Sequence, residues 1–362
     1  MEQRQYIIKT VQQIRDSLYN RPKDKRIDCF LENVFKEYNK LLQEYCLIDC
    51  LSEKQLSKIE LIENCVIQGL KDYFNGSLMG ALTEIQRLLQ NLQFNDDNIV
   101  TVIKKGEVWY RGRLKDDRSN LFNRKEMFHI PEHLRERVNS QRFSFNGYPC
   151  LYLGKSIWAC WEELDEPHLD DVCFSAFKLT KDIKLLDLSI PTEDTIVTNL
   201  SYEYPKLLVS LPIMIACSVK TLNEKANFKS EYVIPQLMMA ELINWHGFDG
   251  YIFSSTKRNP AFDWKEEYLL NIVLPVVDDF DTDGLCKTLK EIFLITEPIY
   301  YKYEFLKSTI SNMIALSEQE IDAMIDRDFH DKDNECKEDM YPRALFGQME
   351  DILKKKVFSA IS

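Results

Sequence analysis

Trp109-Tyr110-Arg111-Gly112-Arg113, then Gln141-Arg142-Phe143-Ser144-Phe145-Asn146-Gly147-Tyr148-Pro149-Cys150-Leu151-Tyr152-Leu153, then Cys160-Trp161-Glu162-Glu163-Leu164, make up the stretch from which the rest of the chain is read. Val108-Trp109-Tyr110 and Leu151-Tyr152-Leu153 are short runs of β-branched and aromatic residues, the composition of strands. Asn146-Gly147-Tyr148-Pro149 is a turn signal ahead of the second run. Ser156 to Trp161 then reads as a short helix that ends on two acids. Strands alternating with short helices place this region in the α+β class.

Charge is uneven around that stretch. The 362-residue chain has a formal net charge of -12, which argues against non-specific nucleic-acid binding. Between Thr101 and Cys160, however, twelve Lys or Arg face six acids. A positive segment in an acidic protein suits a small anionic ligand, because the remaining surface repels polyanions. The ten cysteines show no CxxC pair, the first residues lack the apolar run of a secretion signal, and nothing approaches the ~18 apolar residues of a membrane span. The expectation is a cytoplasmic protein with reduced thiols and no membrane segment.

Three domains are expected: residues 1–97, 98–280 and 281–362. In the first, Ile7, Ile8, Val11, Ile14 and Leu18 recur at helical spacing and Pro22 stops the run. Phe30 to Leu42 carries a second apolar face. Ser52-Glu53-Lys54-Gln55 has the capping-box pattern ahead of Leu56, Ile59, Ile62, Val66 and Leu70. Asn75-Gly76 separates a fourth helix, Leu78 to Leu92. Four amphipathic helices predict a bundle without catalytic residues.

Asn95 to Asn98 reads as a linker into the second domain. Strands are predicted at 99–103, 108–110, 151–153, 173–177, 183–188, 251–253 and 268–274, with helices at 155–165 and 232–246. Beyond 281, Leu285, Leu289, Ile292 and Phe293 form one helical run. Ser317 to Glu320 caps another, Asp328 to Asp339 is a charged loop, and Tyr341 to Phe358 is the last helix.

Arg111 would project from a strand end, and a planar five-donor fork suits a pyrophosphate. Arg142 precedes the turn into the Tyr152 run, so two arginines would grip two phosphates while Tyr152 lies against a planar base. A carboxylate from Glu162 or Glu163 beside a ribose would stabilise positive charge at its anomeric carbon. Adjacent acids face different ways on a helix, so at most one serves.

Taken together, Trp-Tyr-Arg, Gln-Arg-Phe-Ser-Phe-Asn-Gly-Tyr-Pro-Cys-Leu-Tyr-Leu and Cys-Trp-Glu-Glu-Leu resemble the RES domain, named for its Arg, Glu and Ser. Asp249-Gly250-Tyr251-Ile252-Phe253-Ser254-Ser255-Thr256 and Asn271-Ile272-Val273-Leu274-Pro275 extend the likeness, which covers roughly residues 100 to 278. The preceding helices are similar to the HEPN-like module attached to some RES domains. The resemblance implies an ADP-ribosyltransferase-like split β-sheet core flanked by an N-terminal helical bundle and C-terminal helices. It further implies an NAD+-consuming enzyme, a glycohydrolase or phosphorylase of the kind found among bacterial toxins of toxin–antitoxin and antiphage systems.

By position, Arg111 would be the first essential arginine, Arg142 a second, Tyr152 the aromatic, Ser255 the serine and Glu163 the acid. Glu162 and Ser254 are held in reserve. The sequence departs from the family where Gln141-Arg142-Phe143-Ser144 replaces Gly-Arg-Trp-Asn, and where Ser254 stands in place of a proline. NAD+ would be a substrate, with no cofactor and no metal. An antitoxin or regulatory protein, and self-association, are the partners to look for.

Competing readings remain. ADP-ribose transfer to a protein uses the same groups, and a silent module would bind NAD+ without consuming it. Arg124-Lys125-Glu126-Met127-Phe128-His129 matches the Arg-x4-His spelling of HEPN ribonucleases but runs into Ile130-Pro131, against the helix that activity needs. Pro131 also spoils a helical zinc pair of His129 and His133. Asp279-x-Asp281-x-Asp283-Gly284 imitates an EF-hand start, with Lys290 where a bidentate Glu belongs. Phe228 to Gln236 reads either as a ligand-facing segment or as a capped helix start. Walker, GxGxxG and GxSxG loops are absent from the sequence.

Overall fold

A computed structural model describes residues 2–92, 99–115, 122–198, 203–242, 247–257, 266–300, 341 and 345–361. The helices are α1 (Glu2–Tyr19), α2 (Ile27–Glu44), α3 (Glu53–Phe74), α4 (Leu78–Asn91), α5 (Ile157–Glu163), α6 (Glu193–Thr198), α7 (Tyr204–Cys217), α8 (Val233–Leu242), α9 (Lys287–Ile292) and α10 (Leu345–Lys355). The strands are β1 (Val100–Ile103), β2 (Val108–Leu114), β3 (Cys150–Gly154), β4 (Val172–Leu179), β5 (Ile183–Asp187), β6 (Gly250–Ser254), β7 (Leu270–Pro275), β8 (Phe293–Ile295) and β9 (Ile299–Tyr300). They fall into two compact units: residues 1–102, 136–148 and 184–256, and residues 103–135, 149–183 and 257–362.

In the first unit α1 to α4 form as the apolar spacing predicts. Ile7, Val11, Ile14 and Leu18 of α1 are buried, as are Phe30, Leu31, Val34, Phe35, Tyr38, Leu41 and Leu42 of α2. Ser52 and Gln55 close the expected capping box, the Ser52 hydroxyl accepting from the Gln55 N–H and the Gln55 side chain from the Ser52 N–H. The four helices do not bury their faces on each other alone, since α3 also packs on α7 and α4 on α8.

The sequence reading had no element at 204–217. There α7 is apolar all round and buried from Leu207 to Cys217, so it carries none of the period that reveals a surface helix. Pro212 inside it cannot donate to the carbonyl four residues back, which is that of Leu208. Tyr38 of α2 donates its hydroxyl to that same carbonyl at 2.6 Å. The helix thus keeps a buried proline because a side chain from a neighbouring helix satisfies the orphaned oxygen. Among this unit's strands β5 and β6 pair in parallel at Leu185↔Gly250, Leu186↔Tyr251 and Asp187↔Ile252, and β1 lies along the other edge of β5. The long crossover a parallel pair requires is the segment containing α6, α7 and α8.

The second unit is antiparallel. β7 pairs with β3, β3 with β2, and β2 with β4, whose far edge takes β8 and β9. Helices α5 and α10 cover one face. Trp158, Tyr110, Phe174, Phe346, Met349 and Leu353 lie in its core. Glu350 of α10 accepts from the Tyr341 hydroxyl at 2.6 Å and from the Ile157 N–H, the first of α5, at 3.0 Å.

One expectation needs correction here. The run through Phe293 is not one helix, because α9 stops at Ile292 and Phe293 opens β8 against β4. The helix expected at 232–246 forms, entered by a 3-10 turn at Ser230–Tyr232 and regular over Val233–Leu242, with 243–246 outside the described residues. The linker at 95–98, the Ser317 cap and the 328–339 loop lie outside the described residues. The whole is α+β with a helical N-terminal region and both parallel and antiparallel strand pairing. Among the described residues no helix is long and apolar enough to cross a membrane, and the nine described cysteines are free.

Removing the hydroxyl in Tyr38→Phe leaves the Leu208 carbonyl buried without that donor, at an expected cost of about 1–3 kcal/mol. Urea unfolding of the variant against wild type measures it. Equal midpoints would show that the carbonyl does not depend on Tyr38.

Candidate active site

The second unit builds its candidate site where its two central strands part. β2 and β3 pair at Tyr110↔Gly154. From there β2 stays with β4 through Arg111↔Ser175 to Leu114↔Val172, and β3 stays with β7 through Tyr152↔Val273 to Cys150↔Pro275. Arg111 and Tyr152 therefore stand on the two strand segments that diverge.

Gly154 sits at the root of the divergence and turns the chain into α5. A Cβ there would lie 2.8 Å from the Cys160 sulfur and 3.0 Å from the Ser156 carbonyl oxygen, so only glycine lets the helix seat this closely on β3. Ser156 caps α5 by accepting from the Ala159 N–H at 2.9 Å, and its own hydroxyl donates to the Tyr268 carbonyl at 2.6 Å. At the other end Lys257 donates to the Glu163 carbonyl at 2.8 Å and pairs with Asp165 at 2.7 Å. The helix is fastened at both termini, which fixes the height of its final acids above the sheet.

Those acids differ as adjacent helical positions must. Glu162 is 2% exposed, whereas Glu163 is half-buried. The Glu163 carboxylate accepts a hydrogen bond from the Asn271 amide at 3.2 Å. Asn271 lies on β7 directly opposite Gly154, so it shares a sheet face with Gly154 and, two residues along, with half-buried Tyr152. Glu163, Asn271 and Tyr152 are thus gathered on the α5 side.

Arg111 is not at a strand end as the sequence suggests but at the middle of β2, one residue after Tyr110, and therefore on the face opposite Glu163, Asn271 and Tyr152. There its guanidinium donates to the carbonyls of Met127 and Phe128. Burial, with Arg113 nearby, pushes its pKa down to about 9, so it is cationic at neutral pH.

Arg142, Ser254 and Ser255 belong to the first unit. Arg142 is buried and donates to the carbonyls of Cys217 at 3.2 Å and Val219 at 3.1 Å, oxygens at the C-terminal end of α7. Its other terminal nitrogen reaches the Thr256 hydroxyl at 2.6 Å, and its plane lies over the Tyr232 ring. The sequence expectation of a phosphate fork meets a guanidinium already spent on the carbonyls at a helix end, where a cation is favoured, and on the Thr256 hydroxyl. Arg142 does stand beside the expected serine step through Thr256. Ser255 is buried, and Ser254, at the end of β6, is half-buried.

The Phe228–Gln236 segment spends its polar groups on the fold: Glu231 pairs with Arg21, and Gln236 donates to Ser140 and to the carbonyls of Gln141 and Ser144. The segment does open a helix, though its start carries no side-chain cap.

The other motifs resolve into structure. Residues 124–127 form turns, not a helix, and Arg124 pairs with Glu297 at 2.8 Å. His129 is 1% exposed and accepts from the Cys286 N–H at 2.9 Å through Nε2, so Nδ1 carries the proton and donates to the Ile130 carbonyl at 2.8 Å. Both ring nitrogens are used, which leaves none for RNA chemistry or a metal. Asp279, Asp281 and Asp283 are engaged by Lys287, Lys290 and Lys125. Among the described residues no group of three or more His, Cys, Asp or Glu could hold a metal.

Burial lowers the His129 pKa to about 4. A depressed folded-state value means stability is complete above the unfolded pKa and is lost as pH falls toward 4. Between pH 6.5 and 4 the wild type should lose about 3 kcal/mol that a His129→Gln variant does not. Unfolding free energies of both across that window check it, and a constant gap would contradict the buried neutral imidazole.

Comparison with known proteins adds one relative. The chain is 29% identical over 301 residues to "Putative toxin YopC" of Bacillus subtilis (strain 168), a match covering 76% of this chain and 66% of that protein, just under two thirds of its length. No family model matches the chain, and no solved structure matches it.

Proposed function

We propose that the chain is an NAD+-consuming toxin whose reaction centre lies in the second unit, at the parting of β2 and β3. The observation that carries this is the grouping of Glu163, fixed by Asn271, with Tyr152 on one face beside the diverging strands. The divergence supports an ADP-ribosyltransferase-like split core, and the name of the Bacillus relative supports a toxin.

In this reading Tyr152 receives the nicotinamide end and Glu163 faces the attached ribose. The glycosidic C–N bond breaks with its electron pair leaving on nicotinamide, which departs neutral because the ring was cationic. Strong acid catalysis is unnecessary, and the demand falls on stabilising the oxocarbenium-like centre with a fixed negative charge. Water attack on the anomeric carbon, with a proton released, gives ADP-ribose; phosphate attack gives ADP-ribose-1''-phosphate. Arg111, on the opposite face and donating to the Met127 and Phe128 carbonyls, is not assigned to the pyrophosphate in this reading. An enzyme that destroys NAD+ in the cytoplasm requires restraint, which makes an inhibitory partner part of the proposal.

The test is incubation of the purified full chain with NAD+, with and without phosphate, and identification of the products by mass spectrometry. Free ADP-ribose or its phosphate is expected from wild type, with turnover lowered ~10²-fold or more in Glu163→Gln. Label found on protein instead would make the enzyme a transferase. Intact NAD+ with wild type, or full turnover in both Glu163→Gln and Glu162→Gln, would overturn the proposal.

A further inference from the structure

We infer that Asn271 is a positioning residue that orients the Glu163 carboxylate, a role that deepens the NAD+-consuming reading and rests on it. Three observations carry the assignment. Asn271 is 5% exposed, so its amide has few ways to satisfy its donors, and it gives one to the Glu163 carboxylate at 3.2 Å. It stands opposite Gly154, the position whose missing side chain lets α5 come down onto the sheet. Lys257, which could otherwise have neutralised the acid, is directed to the Glu163 backbone carbonyl and to Asp165.

The chemistry explains why an amide occupies this place. A half-buried glutamate at a helix terminus has three side-chain torsions, and its charge works on an anomeric carbon only in one arrangement. A lysine or arginine partner would fix the rotamer but cancel the field the transition state needs. An amide donates one hydrogen bond, holds the oxygen in place and leaves the net negative charge intact. Asn271 makes no bond to the reacting atoms, so its effect should fall on kcat more than on KM.

The experiment compares wild type, Asn271→Asp and Asn271→Ala in two readouts. The first is the pH profile of kcat for NAD+ consumption. The second, independent of turnover, is the 13C titration of the Glu163 carboxyl, identified by its loss in Glu163→Gln. Asn271→Asp puts a second carboxyl within hydrogen-bond reach, so the pair holds a proton to higher pH. The acid limb of kcat and the Glu163 titration midpoint should both move up by about one unit or more. Asn271→Ala removes a donor to the charged form and should move both the same way by less, with kcat down about tenfold and KM nearly unchanged. If Asn271→Asp does not fold, the alanine variant carries the test alone. Titration midpoints identical to wild type in the folded variants would overturn the role of Asn271. A wild type that leaves NAD+ intact while the midpoints move would instead overturn the proposed reaction and keep the positioning contact.

Discussion

The seat of α5 on β3 is the constraint on which the candidate site depends. It exists because position 154 has no side chain: any Cβ would collide with Cys160 and with the backbone of Ser156. Everything near the site follows from that contact. The helix is short, seven residues, and would not hold its shape alone. Ser156, Glu350 and Lys257 supply the hydrogen bonds its ends lack, and the apolar cluster around Trp158 and Phe346 presses it down. Its last residue then meets Asn271 across the strand that Gly154 pairs with.

The same economy of backbone oxygens shapes the first unit. Helix α7 is interrupted by a proline and ends in a buried region, two circumstances that leave carbonyls without partners. Tyr38 answers the first and Arg142 the second. Arg142 also ties the end of α7 to Thr256, so the serine step is positioned by a residue that looked, in sequence, like a ligand contact. The C-terminal helix is likewise no loose appendage, since Glu350 and Phe346 reach the start and the body of α5.

Much of the fold was legible. Helices α1 to α4 declared themselves through apolar spacing and a capping box, and seven strand runs through their β-branched and aromatic content. What escaped did so for physical reasons. Helix α7 is buried on all sides, and periodicity reports only a helix with a wet face. Strands β8 and β9 are three and two residues long, too short for alternation to register. The contact between Glu163 and Asn271 spans 108 residues and appears only once the β3–β7 register is known. The chemical types needed at the site, an acid, an aromatic ring and cations, were visible; which of them share a face was not.

In the proposed reaction Glu163 and Tyr152 together address the nicotinamide riboside end of a dinucleotide. The most direct measurement is a crystal structure of the Glu163→Gln protein soaked with NAD+. The nicotinamide ribose is expected within hydrogen-bond distance of the side chain at 163, with the nicotinamide ring against Tyr152. A dinucleotide bound with its nicotinamide end away from both residues would contradict it.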